Sequence, residues 1–569
     1  MKCIESRTRG GRNSALDSNT QNTINHYSQT IYKRSTTMSK TLILSLVALL
    51  VLAGLTFGQN LVIQSGSSFT GSGSYVIKGN IDNTGVAVPK IINGTVKLSK
   101  TGAAQTIGGG SGAINFQTLR VDSSGTKTTS VADTVTAALV DSATGGKLAI
   151  GTQQLVLQGS ITGKDANSYD FSNASSEVIY AQTGGNQSIF GTTYGKLTPN
   201  GSATFNLLGP AVATGAVNHT GGALTVNQNL NANAGYTFGT VADITSGDSL
   251  KLSSTGGSIA TLTDAHGAVV NGSGALTVTN LTNSHGTITS AANGGPMSFT
   301  NAATNNGVIG GGAGLVHFLN TLGNSDSLLA GSGGMKFENK VTNNSGAGIA
   351  ANSGDSLFFN SKIDNSGRID LFGTGYASLS DSFLTVGALN LASTSTWNYN
   401  GGNQTVAGAA SGVTYGNLLM TGSGVKTALG NIPVSGNFDN GGPSDLAITT
   451  DMSTFTLSIT GSKENTNSTI LFGGTNNGLL FTTGTVNYNA ASGTQQVAGD
   501  PALNYNLLVF SGGGTKQIAS GIRVGTASNL TINAGVIADV NAATSQLLVL
   551  GNLINGGTLN NAGTVQVGN

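Results

Sequence analysis

The sequence predicts an all-β chain, a parallel β-solenoid with rungs of about 20 residues. Three observations carry that expectation. Glycine supplies 86 of the 569 residues and only 9% are charged. Without a Gly-X-Y period this is not collagen, and the abundant Val, Ile and Thr argue against disorder. Short apolar segments return near every 20 residues with Asn/Gly clusters between them. Beyond residue 58 no stretch sustains a 3.6-residue period, so almost no helix is expected.

Residues 1–37 differ from the rest. They carry Lys2, Arg7, Arg9, Arg12, Lys33 and Arg34, the single cysteine Cys3, and no apolar period. They read as a disordered extension upstream of a later start at Met38. Residues 38–58 then show a positive start at Lys40, an apolar run from Leu42 to Leu55, and small residues at Thr56 and Gly58. That order is a secretory signal peptide, with cleavage expected near Gly58. The run is shorter than the roughly 20 apolar residues a membrane helix needs. Seven of the 25 basic and two of the 24 acidic residues lie in 1–58, which leaves 18 against 22, a net charge of −4. The exported part has no cysteine to staple it. The near-neutral balance gives no footprint for nucleic acid. Membrane contact is expected only through secretion or an anchor outside this sequence.

Residues 59–569 are expected to form the solenoid. Short rungs fill 278–370, where an apolar residue, any residue and Asn recur as Val278-Thr279-Asn280, Phe299-Thr300-Asn301, Phe318-Leu319-Asn320, Phe337-Glu338-Asn339 and Phe358-Phe359-Asn360. The Asn positions are 21, 19, 19 and 21 residues apart. Turn clusters such as Asn305-Asn306-Gly307 and Asn365-Ser366-Gly367 follow. Stacked rungs bury a core that one rung alone could not form, and the Asn of these triplets are candidates for stacked amide ladders. Phe318 is expected inside.

A longer motif occurs near 96–127, 178–205, 397–426 and 486–516. Its centre is Gln-x-[Ile/Val]-x-Gly, from Gln105, Gln187, Gln404 and Gln495. An aromatic residue and a leucine follow, as Phe116/Leu119, Tyr194/Leu197, Tyr415/Leu418 and Tyr505/Leu508. Three copies continue to Lys127, Lys426 and Lys516, while the second has Ala203 and Phe205 instead. The copies start 82, 217 and 91 residues apart. Two of these spacings also suit tandem immunoglobulin-like β-sandwiches, which is the alternative fold. The solenoid is preferred because 20-residue units fill the long gap. Some 25 rungs at ~4.8 Å would make a rod on the order of 120 Å long.

The Phe-x-Asn rungs, Asn/Gly corners, low charge and missing cysteine resemble the right-handed parallel β-helices of bacterial surface and secreted proteins. Autotransporter passenger domains and filamentous-haemagglutinin-type adhesins are the nearest comparison. The long motif is similar to repeats in large exported β-helix proteins of Gram-negative bacteria. The resemblance implies the fold and a secreted or cell-surface, outer-membrane-associated location. It brings no catalytic motif. The chain stops at Val567-Gly568-Asn569 in mid-rung, as expected of a fragment or an interrupted frame.

Parallel β-helices also include polysaccharide lyases and hydrolases, which would need clustered carboxylates and a basic residue. The part beyond residue 58 has 19 Asp and three Glu (Glu177, Glu338, Glu464) with no Asp-Asp or Asp-x-Asp pair. Asp364, Arg368 and Asp370 are the densest charged spot, with Lys340 and Lys362 a rung away; a solvated corner is expected. His219, His266, His285 and His317 are isolated and expected at surface turns, and metal binding would require them to converge. The glycine strings 108–110, 310–312 and 512–514 lack the Lys-[Ser/Thr] of a phosphate loop. The motif tyrosines and Trp397 are expected in packing ahead of a sugar-stacking face. No catalytic, cofactor or metal residue is assigned. The expected function is therefore non-enzymatic: an exported structural or adhesive stalk contacting a surface protein or glycan. The alternatives are a polysaccharide-acting enzyme and a passive segment of a larger cell-envelope protein.

Overall fold

The computed structural model describes residues 56–57 and 60–568, apart from 65–68, 84–89, 103, 110–111, 166, 254, 265, 441–447, 462–477, 481–483 and 500–503. The extension at 1–37 and most of the 38–58 segment therefore lie outside the described residues. Thr56 and Phe57 are described and pair with Val76 and Ile77 as a first short strand.

The chain winds into a parallel β-solenoid of about 22 turns, with rungs of about 21 residues. At ~4.8 Å per rung its length is on the order of 100 Å. Strand pairing is parallel along its whole length, from Leu61↔Ile81 near the start to Val549↔Val567 at the end. Immunoglobulin-like sandwiches are antiparallel, so the alternative fold is excluded. Among the described residues there is no α-helix, and a single 3-10 turn spans Ala409–Ser411.

Between residues 297 and 391 each rung has three short strands. Met297–Phe299, Ala303–Asn305 and Val308–Gly310 make one rung. Val316–Phe318, Leu322–Asn324 and Ser327–Ala330 lie directly on it. Strands this short cannot stand alone; pairing above and below satisfies their backbones while alternate side chains point inward. The inward rows fuse into one apolar core running from Leu61 to Val549.

Stacking puts like on like. Phe299, Phe318, Phe337 and Phe359 form a column with ring centroids 4.8, 5.3 and 4.9 Å apart and planes within 16° of parallel. Phe318 is 1% exposed, as expected. In the fifth triplet the inward residue is Phe359, in register with Phe337, whereas Phe358 points outward over Lys336.

The amide ladder exists, but with other asparagines than expected. Asn283, Asn305, Asn324, Asn343 and Asn365, at the ends of the next strands, are fully buried. The first four Nδ2 groups each donate to the next Oδ1, at 2.8, 2.8, 2.8 and 2.7 Å. The first four also donate to backbone carbonyls, as Asn305 does with Gly307 at 2.8 Å, whereas the buried Asn365 Nδ2 has no partner among the described residues. The triplet residues Asn280, Asn301, Asn320, Asn339 and Asn360 are exposed instead, with a single amide link among them, Asn301 Nδ2 donating to Asn280 Oδ1 at 2.9 Å. Strand direction explains the swap: the triplet Asn follows its strand on the outer side of the bend. The ladder stops at Asn365 because the next strand, Phe383–Thr385, shifts register.

Candidate functional site

The long motif is a way of closing a corner. Each Gln is buried and its Nε2 donates to two carbonyls of the rung below. Gln187 reaches Leu157 and Gly159 at 2.7 and 3.0 Å, and Gln495 reaches Ile459 and Gly461 at 2.7 and 2.8 Å. The Lys of the motif stands on the Gln, in the registers Gln105↔Lys127, Gln404↔Lys426 and Gln495↔Lys516. Their ammonium groups cap carbonyls; Lys516 Nζ donates to Ala490 and Gly513 at 2.7 and 2.8 Å. Burial pulls the Lys516 pKa down to about 8. In the second copy Phe205 stands on Gln187 in place of a lysine.

The motif tyrosines face the core, so they offer no sugar-stacking face, and Trp397 is buried with them. Tyr194, Tyr415 and Tyr505 each work with a second tyrosine from the strand that precedes the Gln strand. Tyr399 and Tyr415 hydroxyls lie 2.8 Å apart, Ala407 N–H donates to Tyr399 at 3.1 Å, and Tyr415 donates to Ala407 C=O at 2.9 Å. Tyr180/Tyr194 and Tyr488/Tyr505 hold Phe190 and Ala498 in the same way. Thus an inward-turned peptide is satisfied by a closed ring of hydrogen bonds. Burial raises the Tyr180 and Tyr399 pKa values to about 12, so these phenols stay protonated. The first copy has no such pair: Gly108 N–H donates to Ile81 C=O at 2.8 Å, and buried Leu98 and Phe116 hold the two tyrosine positions of the motif.

The charged spot expected around Arg368 divides between two faces. Lys340 pairs with Asp364 at 3.2 Å on the strand Ile363–Asn365. Arg368 pairs with Asp370 at 3.0 Å on Arg368–Leu371, a strand of a different sheet. Hydrogen bonds from Thr385 and Lys340 hold the Asp364 carboxyl below its usual range. Among the described residues no ion pair draws Lys362 in.

Convergence occurs elsewhere, at Glu338. Its Oε1 meets Lys336 Nζ at 2.6 Å and His317 Nε2 at 2.8 Å, while Asn360 Nδ2 donates to Oε2 at 2.6 Å. These partners, Lys336 first, hold its pKa near 2. Such a carboxylate is a poor proton acceptor near neutrality. The contacts of Glu338 are an ammonium group, an imidazole and an amide, and none is a second carboxyl.

The histidines separate by environment. His219 is not a surface residue: it sits at an inward position between Phe205 and Phe238, fully buried, with neither ring nitrogen hydrogen-bonded. Burial lowers its pKa to about 4. Its strand, Val217–Val226, alternates inward and outward, and that period is the signal that places it inside. His266 and His285 are exposed and stack at 5.9 Å on adjacent rungs. Among the described residues no three His, Cys, Asp or Glu side chains converge as a metal set. The glycine strings lie at corners, with Gly108, Gly109, Gly512 and Gly514 at positive φ, a conformation that glycine adopts without strain.

A shallow, open concavity lies on the outer side of the rungs near residue 136. At the bend between two faces, Thr136, Ala137, Gln158, Gly159, Ser160, Ala181, Gln182, Thr183 and Asn186 line a groove of about 660 Å³ across three rungs. In Asp133–Asp141 the alternation breaks at exposed Thr136 and Ala137, which turns the strand and hollows the outer side. Gly159 lets the rungs close there, since a Cβ on it would lie 1.9 Å from Ala137 O.

No family model matches the chain, and neither a curated protein nor a solved structure is significantly similar to it.

Proposed function

We propose that this chain is a non-enzymatic exported structural and adhesive surface protein, a stalk that makes many weak contacts at once with a surface protein or glycan. The observation that supports this most is repetition. One core continues through about 22 turns, so outward positions, polar ones such as Thr282 and Thr304 among them, stand above one another at the ~4.8 Å step of the rungs. A column of equivalent weak sites gains avidity without a deep pocket. The ionisable residues are consistent with this reading: Lys340–Asp364 and Arg368–Asp370 neutralise each other on separate faces. The resemblance to exported adhesins supports the location.

Two measurements on the full chain test the reading. Beads coated at rising density should be retained on a cell or polysaccharide surface far more than in proportion to density. Incubation with a polysaccharide panel should release neither reducing ends nor unsaturated sugars. Polymer cleavage, above all cleavage lost in Glu338→Gln, would overturn the reading in favour of a polysaccharide-acting enzyme.

A further inference from the structure

The groove at the bend between Thr136 and Asn186 has a chemistry that narrows its ligand. Its lining contains no Lys, Arg, His, Asp or Glu and no aromatic ring. An anionic ligand such as a phosphate, sulfate or uronate would find no cation there, and a metal ion no carboxylate. An apolar ligand would have to strip water from amides and hydroxyls without replacing their hydrogen bonds. A peptide adding as a strand needs an open edge; the two singly paired strands at the groove, Ser160–Thr162 and Asn186–Ile189, face each other on adjacent rungs, where the Gln187 amide already takes the Leu157 and Gly159 carbonyls, and the longer strands are paired on both sides. Asp133–Asp141 lies between Ile114–Val121 and both Gln154–Leu157 and Ser160–Thr162; Glu177–Tyr180 lies between Gln154–Leu157 and Lys196–Pro199.

What the groove offers is donors and acceptors in one place. Gln and Asn amides provide both, and so do Ser and Thr hydroxyls. Among the described residues, the side chains of Gln158, Ser160, Thr183 and Asn186 have no hydrogen-bond partner within the chain. By contrast Gln187, next to them in sequence, is fully committed to backbone carbonyls. Sugar hydroxyls likewise donate and accept, and a linear glycan is long enough to cross successive rungs.

From the free amides and hydroxyls of Gln158, Ser160, Thr183 and Asn186 in this uncharged groove, we propose that it is a subsite for an uncharged linear glycan. The inference rests on the adhesive reading and names its ligand class. Without an aromatic platform each contact is weak, and one chain holds its ligand with a millimolar dissociation constant.

The test is saturation-transfer NMR on the full chain with cellotetraose, laminaritetraose and chitotetraose, and with tetragalacturonate as the anionic probe. At least one neutral tetrasaccharide should show transfer that saturates in the millimolar range. Gln158→Ala/Asn186→Ala should weaken it at least fivefold, and Ser160→Trp, which fills the groove, should abolish it. Both variants should keep the parent melting temperature, because these side chains are exposed. Transfer to no neutral probe, transfer unchanged in both folded variants, or transfer to tetragalacturonate alone would each overturn the proposal. Bead retention that persists in the Ser160→Trp variant would sink the groove and leave the adhesive reading standing; polymer cleavage would sink the adhesive reading itself.

Discussion

The stretch from Leu276 to Leu391 and the four long-motif regions meet the same demand by opposite means. In the middle, two inward columns repeat one residue type from rung to rung, Phe on Phe and Asn on Asn. In the motif regions unlike groups meet instead: Gln under Lys, and two tyrosines around one peptide. Register explains the difference. Phe299, Phe318 and Phe337 are stacked at a constant 19-residue step, so self-ladders can run on. At the motif corners a peptide turns inward and a carbonyl group is left over, and only a dedicated polar side chain can satisfy it. Homogeneous ladders thus mark regular rungs, and mixed clusters mark altered ones.

The largest expected effect is in the regular region. Phe318→Asp places a charge between Phe299 and Phe337 and should cost on the order of 5 kcal/mol or more. An unchanged melting temperature would show that the phenylalanine column carries no load.

The flanks, by contrast, hold ionisable groups at inward positions, so pH dependence should arise there. Asp133 is 2% exposed, and burial raises its pKa to about 8. Its folded pKa lies above the unfolded one, so stability is lost as pH rises from about 4 to 8. Asp133→Asn should stabilise the chain by roughly 4 kcal/mol at pH 7 and hardly at all at pH 4. Equal effects at both pH values would contradict the burial argument. His219 runs the other way: its folded pKa is depressed to about 4. Its contribution is complete above the unfolded value near 6.5 and falls by about 3 kcal/mol as pH drops towards 4. His219→Phe should remove that acid slope, seen as denaturation midpoints that no longer fall between pH 6.5 and 4.

The smallest effects compare the two regions directly. Asn324→Ala removes one rung of the ladder and leaves Asn305 and Asn343 short of a partner, for about 2–3 kcal/mol. Tyr399→Phe frees the Ala407 N–H, for about 1–3 kcal/mol. Adding Tyr415→Phe should cost little more, because the ring of hydrogen bonds is already broken; fully additive losses would show that the two hydroxyls act independently.

The rung length and the inward Phe column were legible because period and alternation are both written in sequence. Which asparagine turns inward was not. Asn301 and Asn305 recur with the same step, and only the path of the bend separates the exposed one from the buried one. A one-residue slip likewise hid Phe359 behind Phe358. The Glu338 cluster was within reach, since His317 and Lys336 are one 19-residue step apart, but no neighbouring residues in sequence announce it. The groove was beyond reach: its hollow comes from a change of strand direction at Thr136 and Ala137, and its residues are ordinary polar ones. Lys127, Lys426 and Lys516 were visible as a repeat, while their burial on top of Gln depends on register that sequence spacing does not print.

Small-angle scattering of the chain from Gln59 onward tests the central claim most directly. A rod of about 22 rungs should give a radius of gyration of roughly 32 Å and a separate cross-sectional regime, from a length on the order of 100 Å. A compact particle with a radius of gyration near ~24 Å, the value for a globular chain of this size, would contradict the solenoid and every rung-based argument with it.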